Sequence, residues 1–184
     1  MNKYEWYELI TDSENITQGD IIENCIVASL ISIVEEGNKT QAKAIGTKIN
    51  GIVLTQSCDI EQGKLKNIIL CPISFKNEFV QNRLLEGNNE KQIKKDLEGI
   101  SKGAQHAFHL LNKCELDDYV KDYMIVNFKE IYSIPLDLIK KIAKENNKRL
   151  RLCSPYREHL SQAFARYFMR VGLPAPIDLD DLKS

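Results

Sequence analysis

Apolar residues in this chain fall into short runs separated by turn-forming residues, and the period of each run suggests an element. From Ile21 to Val34 the spacing fits either a strand or a helix (Ile22, Ile26, Leu30, Ile33). The β-branched content and the Gly19-Asp20 entry favour a strand. Glu35-Glu36-Gly37-Asn38 follows as a charged turn suited to a hairpin or loop. Ile45 to Leu54 and Ile68 to Ile73 are bounded by Gly, Asn and Pro, the pattern of buried strands. Glu61-Gln62-Gly63-Lys64 turns between them, and Pro72, which lacks an N–H, ends or edges the second.

From residue 75 the period lengthens. Phe75, Phe79 and Leu84, then Ile93, Leu97 and Ile100, mark two amphipathic helices split at Gly87-Asn88-Asn89. Ala107 to Leu111 reads as a strand, and Tyr119 to Ile134 as one more. Pro135 to Lys144 is a helix with Pro in its first turn and lysines toward its end. Arg149-Leu-Arg-Leu152 alternates like a half-exposed strand. The last helix starts at Ser154 as N-cap with Pro155 at the first position, buries Tyr156, Leu160, Ala163, Phe164, Tyr167, Phe168 and Val171, and stops at Gly172 and Pro174. Tyr4, Trp6, Tyr7 and Leu9 form an N-terminal apolar cluster expected to dock on the rest.

These elements predict one α+β domain over residues 1–184. Strands occupy 16–75 and 105–134, helices are inserted at 76–104, and C-terminal helices fill 135–172. An apolar fraction of 43% can bury a core without disulfides or metals. A net charge of −1 gives no global field toward nucleic acid or a membrane, so an RNA role needs a local basic patch. The five cysteines are odd in number and widely spaced, with no charged leader and no apolar stretch of membrane-spanning length. A cytoplasmic protein with mostly free thiols and no membrane partner is the expectation.

The order of elements resembles the PemK/MazF-like toxins. The residues that carry it are Gln18-Gly19-Asp20-Ile21-Ile22, Gly51-Ile52-Val53-Leu54-Thr55 and Ile69-Leu70-Cys71-Pro72-Ile73, then the passage from Val126-Asn127-Phe128 to Pro135 and the terminal helix. It covers much of 16–75 and 119–171. The resemblance implies a small SH3-like β-barrel with a helical insertion and a packed C-terminal helix, acting as a metal-independent endoribonuclease of toxin-antitoxin or defence type. It places Thr55 where those toxins carry a catalytic Thr or Ser. Their catalytic Arg, usually followed by Pro, is replaced here by Lys48-Ile49-Asn50. Lys48 supplies the charge but not the forked donors that fit a phosphorane-like transition state.

Three other features bear chemistry. Thr55, Gln56, Ser57, Cys58 and Asp59 turn a buried strand abruptly polar, either at an Asx-turn or at a site with Cys58 or Ser57 as nucleophile and Asp59 as base. His106 and His109, with Cys58, Cys71 or Asp59, offer mixed metal ligands, although no Cys-x-x-Cys or His-Glu-x-x-His motif is present. His159, Gln162, Arg166 and Arg170 make a polar stripe on the last helix, with Arg149, Arg151 and Arg157 just upstream. That patch suits phosphate, the chain's own carboxylates or a protein partner.

Three functions follow as expectations. The first is an RNA-binding barrel that cleaves RNA through Thr55 with Lys48 or a C-terminal arginine, requiring no cofactor. The second is a non-catalytic module that docks a protein partner or a second copy of the chain. The third is a Cys- or metal-dependent hydrolase centred on Cys58 and Asp59.

Overall fold

Alternation of side chains along the central strands decides how this chain is layered. A computed structural model describes residues 4–11, 15–37, 39–63, 65–116 and 119–169. Its strands are β1 (Tyr7–Thr11), β2 (Asp20–Glu36), β3 (Lys39–Val53), β4 (Asn67–Phe75), β5 (Phe108–Leu111), β6 (Cys114–Leu116), β7 (Tyr119–Lys121), β8 (Met124–Asn127), β9 (Tyr132–Pro135) and β10 (Lys148–Leu152). Its helices are α1 (Ser57–Glu61), α2 (Lys76–Leu85), α3 (Glu90–Ser101), α4 (Leu136–Glu145) and α5 (Tyr156–Phe168).

The main sheet runs β1-β10-β2-β3-β4-β8-β5, with β9 on β4, and every pairing is antiparallel. Because neighbours in a strand face opposite sides, Ile21, Ile52 and Cys71 bury on one face with Phe128, Leu152 and Leu160 of α5. Ile22, Val53 and Leu70 bury on the other face with Ile139 and Ile142 of α4. A third cluster of Phe79, Ile100 and Ile125 seats α2 and α3 on β8. This is the expected α+β class, with the helical pair in the expected place. The pairing path is open at β1 and β5 among the described residues, so the sheet is not a closed barrel.

Several local expectations change. The segment from Tyr119 to Ile134 is three strands: the chain breaks at Asp122, whose Oδ1 accepts from the Tyr123 amide at 2.7 Å, and again after β8, where Asn127 accepts from the Lys129 amide at 3.0 Å and its own amide donates to Glu130 at 3.0 Å. Pro72 does not end its strand. Along one edge β4 passes from β9 (Asn67 to Leu70) to β8 (Ile73 to Phe75), so Cys71 and Pro72 pair with neither there and a residue without an N–H is tolerated. β10 is more buried than its alternation suggests, because Arg149 and Arg151 on its polar face close onto Asp20 and the Asn15 carbonyl. In α5, Pro155 rather than Ser154 stands at the cap, and Val171 lies outside the described residues.

The β2–β3 hairpin outgrows the sheet. β10 pairs with β2 only at Asp20 and Ile21, and β4 pairs with β3 only over Asn50 to Val53, yet β2 and β3 stay paired to Glu36 and Lys39. Beyond Ile26 and Lys48 they form a two-stranded arm. A register shift between Ile22 and Cys25, with Asn24 at φ 59°, starts it. Leu30 (68%), Ile33 (61%) and Ile31 (57%) are exposed on it.

Candidate functional site

A broad concavity forms where the N-terminal loop, α1, the start of α4 and the β10–α5 passage meet. Its floor is an ion cluster. Arg149 and Arg151 are two residues apart on β10 and so share a face, and Arg151 pairs in register with Asp20 of β2. Asp20, fully buried, accepts from Arg149 Nε at 2.8 Å on Oδ2. It also accepts from Arg151 Nε at 2.5 Å on Oδ1 and from Arg151 Nη2 at 3.1 Å. Both guanidiniums also donate to the carbonyl of Asn15, at 2.7 and 2.9 Å. A carboxylate in this setting is held by charge-assisted bonds and in turn holds both arginines in place.

Gly19 makes this approach possible. Its φ of +84° suits glycine, and a Cβ there would meet Leu152 Cβ at 3.1 Å. Its amide donates to Val53 at 2.9 Å and its carbonyl accepts from Leu152 at 3.1 Å, fixing Asp20 between β10 and β3.

One wall comes from the strand end that turns polar. Thr55 Oγ1 accepts from the Ile69 amide at 2.7 Å, so this hydroxyl extends the β3–β4 ladder. Ser57, the first residue of α1, brings its hydroxyl against that of Thr17 and accepts from the Gln18 amide at 3.3 Å. Neither neighbour is a base, which suits Ser57 to binding more than to nucleophilic attack.

The resulting cleft, of about 1260 Å³, is lined by Thr17, Ser57, Lys66, Lys140, Arg151 and Arg157, with Glu8, Glu61 and Asp137 also present. Four cations thus face three carboxylates. Arg157 bonds Glu158 at 3.1 Å, and Arg151 Nη1 lies 3.8 Å from Glu8. Guanidiniums, ammoniums and hydroxyls converging on a groove are the donor set that grips phosphate.

The predicted site residues separate into several places. Arg151 and Arg157 line the cleft, whereas Arg149 is buried beneath it at 3% exposure, a structural partner of Asp20 rather than a surface cation. Lys48 borders a different cavity, of about 600 Å³, with Glu78, Arg83 and Lys129. Between Lys48 and Val53, five residues of strand put roughly 17 Å between Lys48 and the Thr55 turn. Cys58 is exposed, with Gln56 and Asp59 oxygens 3.7 and 3.8 Å from its sulfur. His159 and Arg166 line a small cavity with His106 and His109. Arg170 lies outside the described residues. Among the described residues, no three His, Cys, Asp or Glu side chains are grouped to hold a metal ion, and no helix is long and apolar enough to cross a membrane.

Asp20 and Thr17 were not singled out as site residues from sequence. The available signal was Arg149 and Arg151 on one strand face, two like charges that need a buried countercharge. Asp20 opens the apolar run that could reach them. Comparisons of the chain with protein-family models, with curated proteins and with solved structures return no match.

Proposed function

We propose that this chain binds RNA by its phosphates in the cleft of Thr17, Ser57, Arg151 and Arg157, on a half-open barrel of the SH3-like, PemK/MazF-like kind, in a toxin or defence setting. The observation that carries the reading is the convergence of Arg151, Arg157, Lys66 and Lys140 with two hydroxyls over a preorganised Asp20 floor. Preorganised donors lose little freedom on binding. The sequence resemblance supports the barrel and the RNA substrate class. The separation of Lys48 from Thr55 weighs toward binding over cleavage at those two residues.

The test uses the full chain, fluorescent single-stranded RNA and EDTA, so that binding and metal-independent scission are read together. Binding that weakens with salt and falls with Arg157→Ala supports the proposal. No binding at low salt, or equal binding by Arg151→Ala/Arg157→Ala, overturns it. Scission that survives in the Thr55→Ala variant removes Thr55 from the chemistry.

A second reading, a non-catalytic module that docks a protein, is favoured by the apolar arm carrying Leu30, Ile31 and Ile33. A particle whose sedimentation does not change between wild type and Leu30→Lys/Ile33→Lys counts against self-association through that arm.

A further inference from the structure

The three histidines of the chain meet in one place. His106 comes from the α3–β5 connection, His109 from β5, and His159 from the polar stripe of α5, some fifty residues later. With Gln162 and Arg166 they line a cavity of about 320 Å³, at the small end of the range for ligand pockets. Among the described residues, no carboxylate lines it.

The surroundings keep it electropositive. Arg166 carries a permanent charge. Phe108 forms one wall and separates this cavity from the neighbouring one, where Lys129 lies with its Nζ 5.0 Å from the centre of that ring. Glu158, the carboxylate next to His159, is turned to Arg157 at 3.1 Å. His109 is held against Phe128, ring centres 6.3 Å apart and 21° from parallel.

We propose that this cavity binds a phosphate monoester or orthophosphate, gripped by Arg166 with the imidazole N–H groups and the Gln162 amide as further donors. Its volume fits a phosphate or a mononucleotide. The site shares no lining residue with the Arg151–Arg157 cleft and does not depend on RNA binding there. Phosphate suits the donor set because every lining polar group can donate, none is obliged to accept, and Arg matches phosphate oxygens in pairs.

His109 gives a built-in reporter. Its pKa is lowered to about 4, first by burial and second by the charge of His159. An anion placed among these rings favours the imidazolium, so ligand must raise the His109 pKa.

The experiment is an NMR titration of the histidine rings with sodium phosphate, adenosine 5′-monophosphate and adenosine, at constant ionic strength set with NaCl. Saturable shifts with phosphate or the monophosphate and a raised His109 pKa are expected, with affinity reduced about tenfold or more in Arg166→Gln. Phosphate alone saturating the site identifies the free ion, and tighter monophosphate binding identifies the ester. No saturable shift with either at millimolar concentration, equal binding by Arg166→Gln, or the same shifts with adenosine overturns the proposal.

Discussion

Arg151 Nε lies 2.5 Å from Asp20 Oδ1, while the same guanidinium lines the open cleft. One contact therefore serves both stability and binding. Asp20 is fully buried and Arg149 nearly so, and removing the carboxylate charge takes a counter-ion from a buried guanidinium. Asp20→Asn is expected to cost about 3–5 kcal/mol, the scale for breaking a buried pair. Urea unfolding checks this, and Asp20→Asn/Arg149→Met recovers part of the loss. A cost below about 1 kcal/mol would mean the cluster is solvated as an exposed pair is.

Arg157 is half-buried on the cleft wall, and its guanidinium bonds Glu158 rather than the carboxylate of the floor. Its loss should weaken RNA uniformly across sequences. Arg157→Ala is expected to flatten the plot of log affinity against log salt by about one unit. Fluorescence anisotropy over a salt series measures the slope, and an unchanged slope removes Arg157 from phosphate contact.

Among the described residues the β2–β3 arm is a two-stranded ribbon with no third strand, and such a ribbon has little stability of its own. Backbone amides from Leu30 to Glu35 should exchange with deuterium far faster than those of Ile52, Leu70 and Val126, which are fully buried in the sheet. Equal protection in the two sets, measured by hydrogen exchange with mass spectrometry, would show that something covers the arm in solution.

Much of the layering was legible in the sequence because each major element announces itself locally. Ile and Val content identified β2 and β4, Gly87-Asn88-Asn89 separated α2 from α3, and the aromatic period of α5 identified its packed side as far as Tyr167, whereas Phe168 is exposed. Long-range pairings were not legible. That β10 inserts between β1 and β2 depends on contacts more than a hundred residues apart, and it alone turned Arg149 from an exposed cation into a buried one. Thr55 shows the same limit at close range. Its place after the strand was readable, but the bond to Ile69 that occupies its hydroxyl oxygen was not. The three histidines were visible as residues, and reading His109 as a strand residue separated it from His106. Only the seating of α5 on β5 and β8 brought His159 to them.

Burial grades the five thiols. Cys25 and Cys71 are pushed up to about 12 by burial, and Cys114 is raised by burial as well. Cys58 is exposed on α1 and Cys153 half-buried before α5. Thiolate is the reactive form, so iodoacetamide at neutral pH should modify Cys58 first and leave Cys25 and Cys71 intact until the protein unfolds. Mass spectrometry over a time course reads the order. Early labelling of Cys71 would mean that β4 opens locally, since no path reaches it in the folded chain.

His109 also couples folding to pH. Its pKa of about 4 in the folded chain is below the ordinary 6.5, so between these values the unfolded chain binds the extra proton. The neutral ring is compatible with its place against Phe128, and the protonated ring is not well solvated there. Stability should therefore be fully present above about pH 6.5, decline as pH falls toward 4, and level off below that as far as this group is concerned. Denaturation midpoints across this window test the sign. In His109→Gln the amide cannot take up a proton, so its midpoint should fall less than that of the wild type over the same interval. Parallel decline of the two proteins would place the pH dependence in other groups and remove His109 from it. Adding phosphate in the same interval should lessen the wild-type decline, because an anion bound at Arg166 favours the charged ring that burial otherwise opposes.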